Sequence, residues 1–235
     1  MTSSRLPGKV LADVAGRPML AQQIKRMRAC ASADEIVLAT TTNATDDPIV
    51  ELARHEVVRC FRGSEHDVLA RFVGAMHVVS ADIVVRVTAD CPLIDPSVVD
   101  RVIDELDANS AECDYASNVE ERTYPRGLDA EALFADTLLR LDRMSVSTAA
   151  REHVTVFLRS ERPELFRTRC VTDQCDNSDL RWTVDTAADL EMVRKIYSGL
   201  DLDARVAGYG EILAYVRGNP EISALNSGVQ TWNPA

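Results

Sequence analysis

Three stretches of the sequence combine residue types that can handle phosphate, metal and acceptor chemistry. The first is Ser3-Ser4-Arg5-Leu6-Pro7-Gly8-Lys9, a polar loop with two cations and a glycine. Backbone N–H groups of such a loop, with Gly8 permitting close approach and Arg5 and Lys9 adding charge, suit a polyphosphate. The loop does not match G-x-x-x-x-G-K-[ST] and so is no Walker A motif; a frayed basic terminus has the same composition. Lys9 stands out because the only other lysines are Lys25 and Lys195. The second stretch is Arg86-Val87-Thr88-Ala89-Asp90-Cys91-Pro92, with a counterpart in Trp182-Thr183-Val184-Asp185. Each ends an apolar run in an aspartate. Mg²⁺ is usually held by one or two carboxylates plus substrate phosphates, so Asp90 and Asp185 together suffice for a metal site. Asp90 before Cys-Pro also reads as a turn former, and Asp185 also reads as the N-cap of the helix that follows. The third stretch, Tyr124-Pro125-Arg126-Gly127-Leu128-Asp129-Ala130-Glu131, sets an arginine and two acids around a glycine. Arg126 suits a carboxylate or phosphate and the acids suit hydroxyl groups, the pattern of an anionic or polyhydroxylated acceptor; a surface loop with self-satisfied charges looks the same.

These residues need elements to position them. Short β-branched runs alternate with segments of helical period, the pattern of βαβ units and a largely parallel sheet in an α/β fold. Strands are predicted at residues 36–40, 57–61 and 82–88, the last apolar almost throughout, as expected when both faces are covered. Asp46-Asp47-Pro48, Asp67 and Asp95-Pro96 give N-cap signals, two of them with proline at the first helical position, for the crossover helices. In an open α/β sheet ligands collect beyond the carboxyl ends of the strands, and Arg86, Thr88 and Asp90 share one face at a period of two. Gly63-Ser64-Glu65-His66-Asp67 opens a helix at the same mouth. From about residue 112 the rhythm is less regular: DYASNV is strand-like, residues 121–131 are loop-like, helices are predicted at about 134–143 and 148–160, and LFRTRCV and LRWTV read as short strands. Asp185 opens a helix through Tyr197, and GEILAYVRGNPEISALN closes the fold. Arg151-Glu152-His153 on the following helix reads as a solvated helical face or as an addition to the acceptor pocket, and His55, His66 and His77 as structural. The organisation expected is one continuous domain over residues 1–235, with an irregular lobe at about 112–170 for the acceptor and for dimerisation. A doubly wound fold normally opens with a strand, yet here a polar loop comes first and a helix begins near Pro18.

Composition narrows the function. Twenty-six basic against 37 acidic residues give a formal charge of −11, a field that repels a phosphate backbone and argues against general nucleic-acid binding. No apolar run reaches the roughly 18–20 residues that cross a bilayer, and the first 30 residues show no signal-peptide core, so a cytoplasmic protein is expected. Six cysteines without a C-x-x-C spacing point to neither zinc nor a disulfide scaffold.

In order along the chain, SSRLPGKVL, GSEHDVLARF, VRVTADCPLIDP, YPRGLDAE, REHVT and LRWTVDTAADLE resemble the cytidylyltransferases grouped with acylneuraminate cytidylyltransferase and CMP-KDO synthetase. The likeness is nearest to the spore-coat polysaccharide biosynthesis protein F branch and runs from residue 3 to about 226. It implies a Rossmann-like nucleotidyltransferase three-layer sandwich and transfer of CMP from CTP to a sugar acid or related acceptor, with Mg²⁺ and release of pyrophosphate, in a homodimer that makes polysaccharide or glycan precursors. It implies that Arg5 and Lys9 bind the triphosphate, within a nucleotide loop that also holds Ser4, Leu6 and Gly8. On the same basis Asp90 and Asp185 hold Mg²⁺, Ser64, Asp67, Arg86 and Thr88 shape the nucleotide pocket, and Arg126, Gly127, Asp129 and Glu131 face the acceptor. Family members carry a first strand and an Ala-Arg pair just before the loop, so the resemblance also implies that a first strand is missing here, with a start assigned too far downstream. Two rival readings stand beside this one. A glycosyltransferase of related fold would be expected to show D-x-D at its metal, where this chain has Asp90-Cys91-Pro92; a truncated homologue would bind nucleotide without turnover.

Overall fold

The computed structural model describes residues 5–230. It opens with a tight hairpin, β1 (Asp13–Val14) against β2 (Arg17–Pro18). Ala15 and Gly16 at its tip both have positive φ, as a two-residue hairpin turn requires. Helix α1 (Met19–Met27) follows and buries Met19, Leu20 and Ile24. Strand β3 (Val37–Thr41), helix α2 (Asp47–His55) and strand β4 (Arg59–Gly63) form a βαβ unit with β3 and β4 parallel. Helix α3 (Val68–Val79) crosses to β5 (Ile83–Arg86), and α4 (Pro96–Ala108) leads on to β6 (Tyr115–Ser117).

The expected α/β architecture is borne out, with sheets of mixed direction. The larger sheet has the order β5-β7-β6-β8, where β7 (Glu131–Phe134) runs antiparallel to both neighbours and β8 (Thr168–Cys170) parallel to β6. Period-two alternation divides its core into layers. Ala116 and Ala132 face a cluster with Val99, Val102 and Leu106 of α4. Tyr115 and Leu133 face the other way, toward Leu69 and Met76 of α3 and toward Leu138 and Leu141 of α5 (Ala135–Met144). A third cluster, around Trp182 and Tyr197, lies under α7 (Ala187–Leu200) and α8 (Tyr209–Gly218), with α9 (Pro220–Ala224) beside them. No helix of the described residues is long and apolar enough to cross a membrane.

Several expected elements differ in detail. Strand β7 begins at Glu131, inside the span read as a loop, because its alternation is short and blends into the helix that follows. The helix expected over 148–160 is α6 (Thr148–His153) and then a separate π turn at Phe157–Glu161; Val154, with φ +58°, breaks the run. Residues 180–184 form no strand. They make a single parallel bridge, Arg126 to Arg181, with Arg126 N–H donating to Leu180 O and Trp182 N–H to Arg126 O. Asp67 and Asp95 cap their helices as expected, accepting from Ala70 N and from Ser97 and Val98 N. Asp46 does not cap with its side chain; that carboxylate accepts from the hydroxyls of Thr40 and Thr41 and from Thr41 N–H, fastening the end of β3.

Candidate functional site

Three separate segments meet beyond the carboxyl end of β5. Gly8, with φ +70°, turns the N-terminal loop into a short 3-10 turn at Lys9–Leu11, which carries Lys9 inward. The chain leaving β5 delivers Asp90. The segment from Trp182 to Asp185 lies against it, with Val184 N–H donating to Asp90 O at 2.8 Å and the Thr183 hydroxyl to the same carbonyl. Lys9 Nζ sits between the acids, 2.9 Å from Asp90 Oδ2 and 2.8 Å from both Asp185 Oδ1 and Val184 O. Thr88 Oγ1 donates to the other oxygen of Asp90 at 2.6 Å, and Arg5 lies 3.1 Å from Asp185 Oδ2.

The helix beyond this site is capped by Thr186, not Asp185. Thr186 Oγ1 accepts from Asp189 N–H while Asp189 Oδ2 accepts from the N–H groups of Thr186 and Asp185, a reciprocal capping box. The expectation of Asp185 as an N-cap is thereby corrected, and its carboxylate is left for Lys9 and the two arginines. Arg181, four residues earlier, donates to Asp185 Oδ2 at 2.6 Å and to the buried Asp189 at 3.0 Å. Burial works against the charge of Lys9, but the adjoining carboxylates outweigh it and raise its pKa above the ordinary lysine value. Burial likewise opposes ionisation of Asp185, and Lys9, Arg181 and Arg5 reverse that and hold its pKa below the usual range. The side chains stay in reach of solvent, 25% exposed for Asp90, 21% for Asp185 and 13% for Lys9.

A second charged group lies behind this one. Arg86 on β5 pairs with Glu131 directly across the ladder to β7. Glu131 is only 3% exposed; it also accepts from Tyr115 Oη at 2.7 Å and Thr155 Oγ1 at 2.5 Å, with Arg159 4.0 Å away. The expectation that Glu131 faces an acceptor is therefore corrected: its lone pairs are committed inside the sheet. Arg86 is paired with it and also lines the cavity that Gly8, Lys9 and Thr88 border. Asp67 is similarly engaged, capping α3 and accepting both a 2.9 Å and a 2.6 Å bond from Arg151, which also binds Asp142. Ser64 is exposed at the mouth, its hydroxyl accepting from His66 N–H. Leu6 packs on the core under α7, and Ser4 lies outside the described residues.

The 124–131 loop is laced to the segment that delivers Asp185 through the bridge between Arg126 and Arg181. Gly127 is required there: its φ is +107°, and a Cβ would lie 2.6 Å from Thr183 N and from Trp182 C. Asp129 is held by Arg122 through two bonds of 2.7 and 2.9 Å. The half-buried Arg126 guanidinium makes no hydrogen bond or ion pair among the described residues, and burial together with the adjacent Arg122 lowers its pKa. Arg122 and Arg181 were not singled out from sequence.

Among the described residues no group of three His, Cys, Asp or Glu gathers into a metal-binding cluster. Asp90 and Asp185 nonetheless fit a hard divalent ion, since their oxygens already converge on one cation and both carboxylates remain open to water.

The chain is similar to known proteins over most of its length. The cytidylyltransferase family profile matches residues 1–202. Spore coat polysaccharide biosynthesis protein SpsF of Bacillus subtilis is 29% identical over 228 residues, 94% of this chain and 92% of that protein. A 3-deoxy-manno-octulosonate cytidylyltransferase of Nitratidesulfovibrio vulgaris is 34% identical over 166 residues, 68% of this chain and 59% of that one. The solved structure of a cytidylyltransferase from Leptospira borgpetersenii superposes with a TM-score of 0.90 at 29% identity, covering 99% of this chain and 95% of that chain. The chain belongs to the cytidylyltransferase family, whose members are CTP-dependent nucleotidyltransferases.

Proposed function

We propose that this protein transfers the cytidylyl group of CTP to a small sugar-acid-like acceptor in the making of a polysaccharide or glycan. The observation that carries the reading is the meeting of Lys9, Asp90 and Asp185 from three distant segments at the open end of β5, with Arg5 and Arg181 at its rim. An acceptor oxygen forms a bond to the α-phosphorus, the bond from that phosphorus to the bridging oxygen breaks, pyrophosphate leaves, and the acceptor proton goes to solvent. Such a transfer is driven by alignment and by neutralising charge on the phosphate oxygens. Arg5 and Lys9 supply cations to the triphosphate, and the loop around Gly8 supplies backbone donors. Asp90 and Asp185 would hold Mg²⁺, which supplies further positive charge to the phosphates when bound. Arg126, unpaired among the described residues, suits the carboxylate of the acceptor. We extend the reading to a cytoplasmic homodimer on the family resemblance alone.

The test is a pyrophosphate-release assay with each of the four ribonucleoside triphosphates, Mg²⁺ and a panel of sugar acids. Release with CTP that depends on both acceptor and metal is expected. Release with another nucleotide but not CTP would overturn the substrate; no release together with no thermal stabilisation by CTP would overturn the activity, because ligand at 100 times its Kd adds about 2.7 kcal/mol.

A further inference from the structure

We propose that Lys9 holds the seat of the divalent ion: its ammonium and the metal use the same two carboxylate oxygens in turn, so Lys9 must leave Asp90 and Asp185 before they can take a metal. The inference rests on the proposed role of those acids as metal ligands. An ammonium has three N–H donors, and Lys9 spends them inside the site, on Asp90 Oδ2 at 2.9 Å and on Asp185 Oδ1 and Val184 O at 2.8 Å. The other oxygen of each acid is engaged elsewhere. Thr88 Oγ1 donates to Asp90 Oδ1 at 2.6 Å, and Arg181 donates to Asp185 Oδ2 at 2.6 Å, with Arg5 3.1 Å away. Each carboxylate is thus held by a neighbour so that its remaining oxygen converges with that of the other acid on the point where Nζ stands.

Two features make Lys9 a removable occupant of that point. First, the groups that orient the acids do not depend on it. Arg181 is fixed by Asp189, which is fully buried and also accepts from Asn226 Nδ2 at 2.9 Å, and Thr88 belongs to the chain leaving β5. The acids therefore keep their aim when the ammonium withdraws. Second, Lys9 hangs on a flexible side chain from a short 3-10 turn that buries none of its residues. An ammonium and a divalent ion on the same two oxygens repel each other strongly in a site partly shielded from water, so the two alternate. Once it leaves the acids, Lys9 remains tethered at the Gly8 loop, and its charge is free for the phosphates of CTP. Metal and nucleotide binding are coupled as a result. Without nucleotide the ammonium gives up its bonds to both acids and to Val184 O; with CTP it gains phosphate oxygens in exchange.

Mn²⁺ is the probe, a hard ion that shares the oxygen preference of Mg²⁺, and no nucleotide is added. In titrations read by electron paramagnetic resonance, Lys9→Met is expected to bind Mn²⁺ roughly tenfold or more tightly than wild type. Arg5→Met removes an equal charge from the far oxygen of Asp185 and is expected to change the affinity by less than about threefold. A second measurement needs no variant. The chain has only Lys9, Lys25 and Lys195 as lysines, so acylation of each amine is followed by peptide mass spectrometry. Mn²⁺ is expected to speed acylation of Lys9 several-fold in the wild-type protein and to leave Lys25 and Lys195 unchanged. Three results would each overturn the inference: Lys9→Met binding no tighter than wild type, an equal gain in Arg5→Met, or Lys9 acylation unaltered at the Mn²⁺ concentration that saturates wild type. Pyrophosphate release from CTP beside any of these would leave the proposed activity standing, and tighter Mn²⁺ binding without such release would do the reverse, so the two failures are distinguishable.

Discussion

The two charged groups along β5 are built from the same chemistry and have opposite fates. Arg86 and Glu131 face each other across a ladder, with Tyr115 and Thr155 completing the carboxylate's bonds, and Glu131 is shut off from solvent. Lys9, Asp90 and Asp185 come from three segments, keep contact with water, and crowd cations onto acids that a substrate or metal can displace. The difference lies in the acids: Glu131 is buried and held within the sheet, whereas Asp90 and Asp185 stay open to water. The comparison breaks most visibly at Glu131. Its removal in Glu131→Ala leaves the mostly buried Arg86, Tyr115 and Thr155 without their shared partner, so a stability loss of about 3–5 kcal/mol is expected in denaturant unfolding. A loss under about 1 kcal/mol would show that the sheet does not depend on the pair.

The open group should behave the other way round. Lys9→Ala or Asp90→Asn is expected to slow pyrophosphate release by at least about 10²–10³, the effect of losing one preorganised charge at a transition state. Melting temperatures should move less than for Glu131→Ala, because Asp90 and Asp185 remain in reach of water when Lys9 is removed. A variant that kept more than about a tenth of the wild-type rate at saturating substrate would take that residue out of the catalytic group.

This contrast also marks how far the sequence could be read. Asp90 and Asp185 were legible because each follows an apolar run, and strand ends in α/β sheets are where ligands gather. Lys9 was legible because lysine is scarce in this chain. What sequence could not show was cross-strand register. Glu131 looks like a member of the 124–131 loop until β7 is seen to place it opposite Arg86, and four residues of alternation are too few to announce a strand beside a helix. Asp185 carried two readings, cap and ligand, and only the Thr186–Asp189 capping box separates them. The irregular half hid most because its backbone bonds run between loops, as at Arg126 and Leu180, and leave no periodic signal.

Arg126 sharpens the same contrast at smaller scale, being a guanidinium without a hydrogen-bond or ion-pair partner among the described residues, beside a site full of paired ones. A hydrogen bond to a charged group is worth about 1.5–3 kcal/mol, so Arg126→Ala is expected to raise the acceptor KM by roughly tenfold or more while leaving the CTP KM unchanged. An unchanged acceptor KM would remove Arg126 from that pocket.

Asp67 stands between the two cases: a carboxylate at the mouth of the sheet that is nonetheless tied to its own helix and to Arg151. Some burial opposes its ionisation, but the bonds from Arg151 and Ala70 prevail and hold its pKa below the ordinary aspartate value. The carboxylate therefore contributes stability that is fully present above the unfolded pKa of about 3.9 and is lost as pH falls through the lower folded value. Asp67→Ala should cost about 0.5–2 kcal/mol at neutral pH, the range for a lost N-cap. The difference from wild type should shrink in melts run below pH of about 4. The same variant decides whether Asp67 reaches the nucleotide: a CTP KM equal to that of wild type is expected, whereas a rise of about tenfold or more would mean that substrate draws this carboxylate away from Arg151 and into the nucleotide pocket.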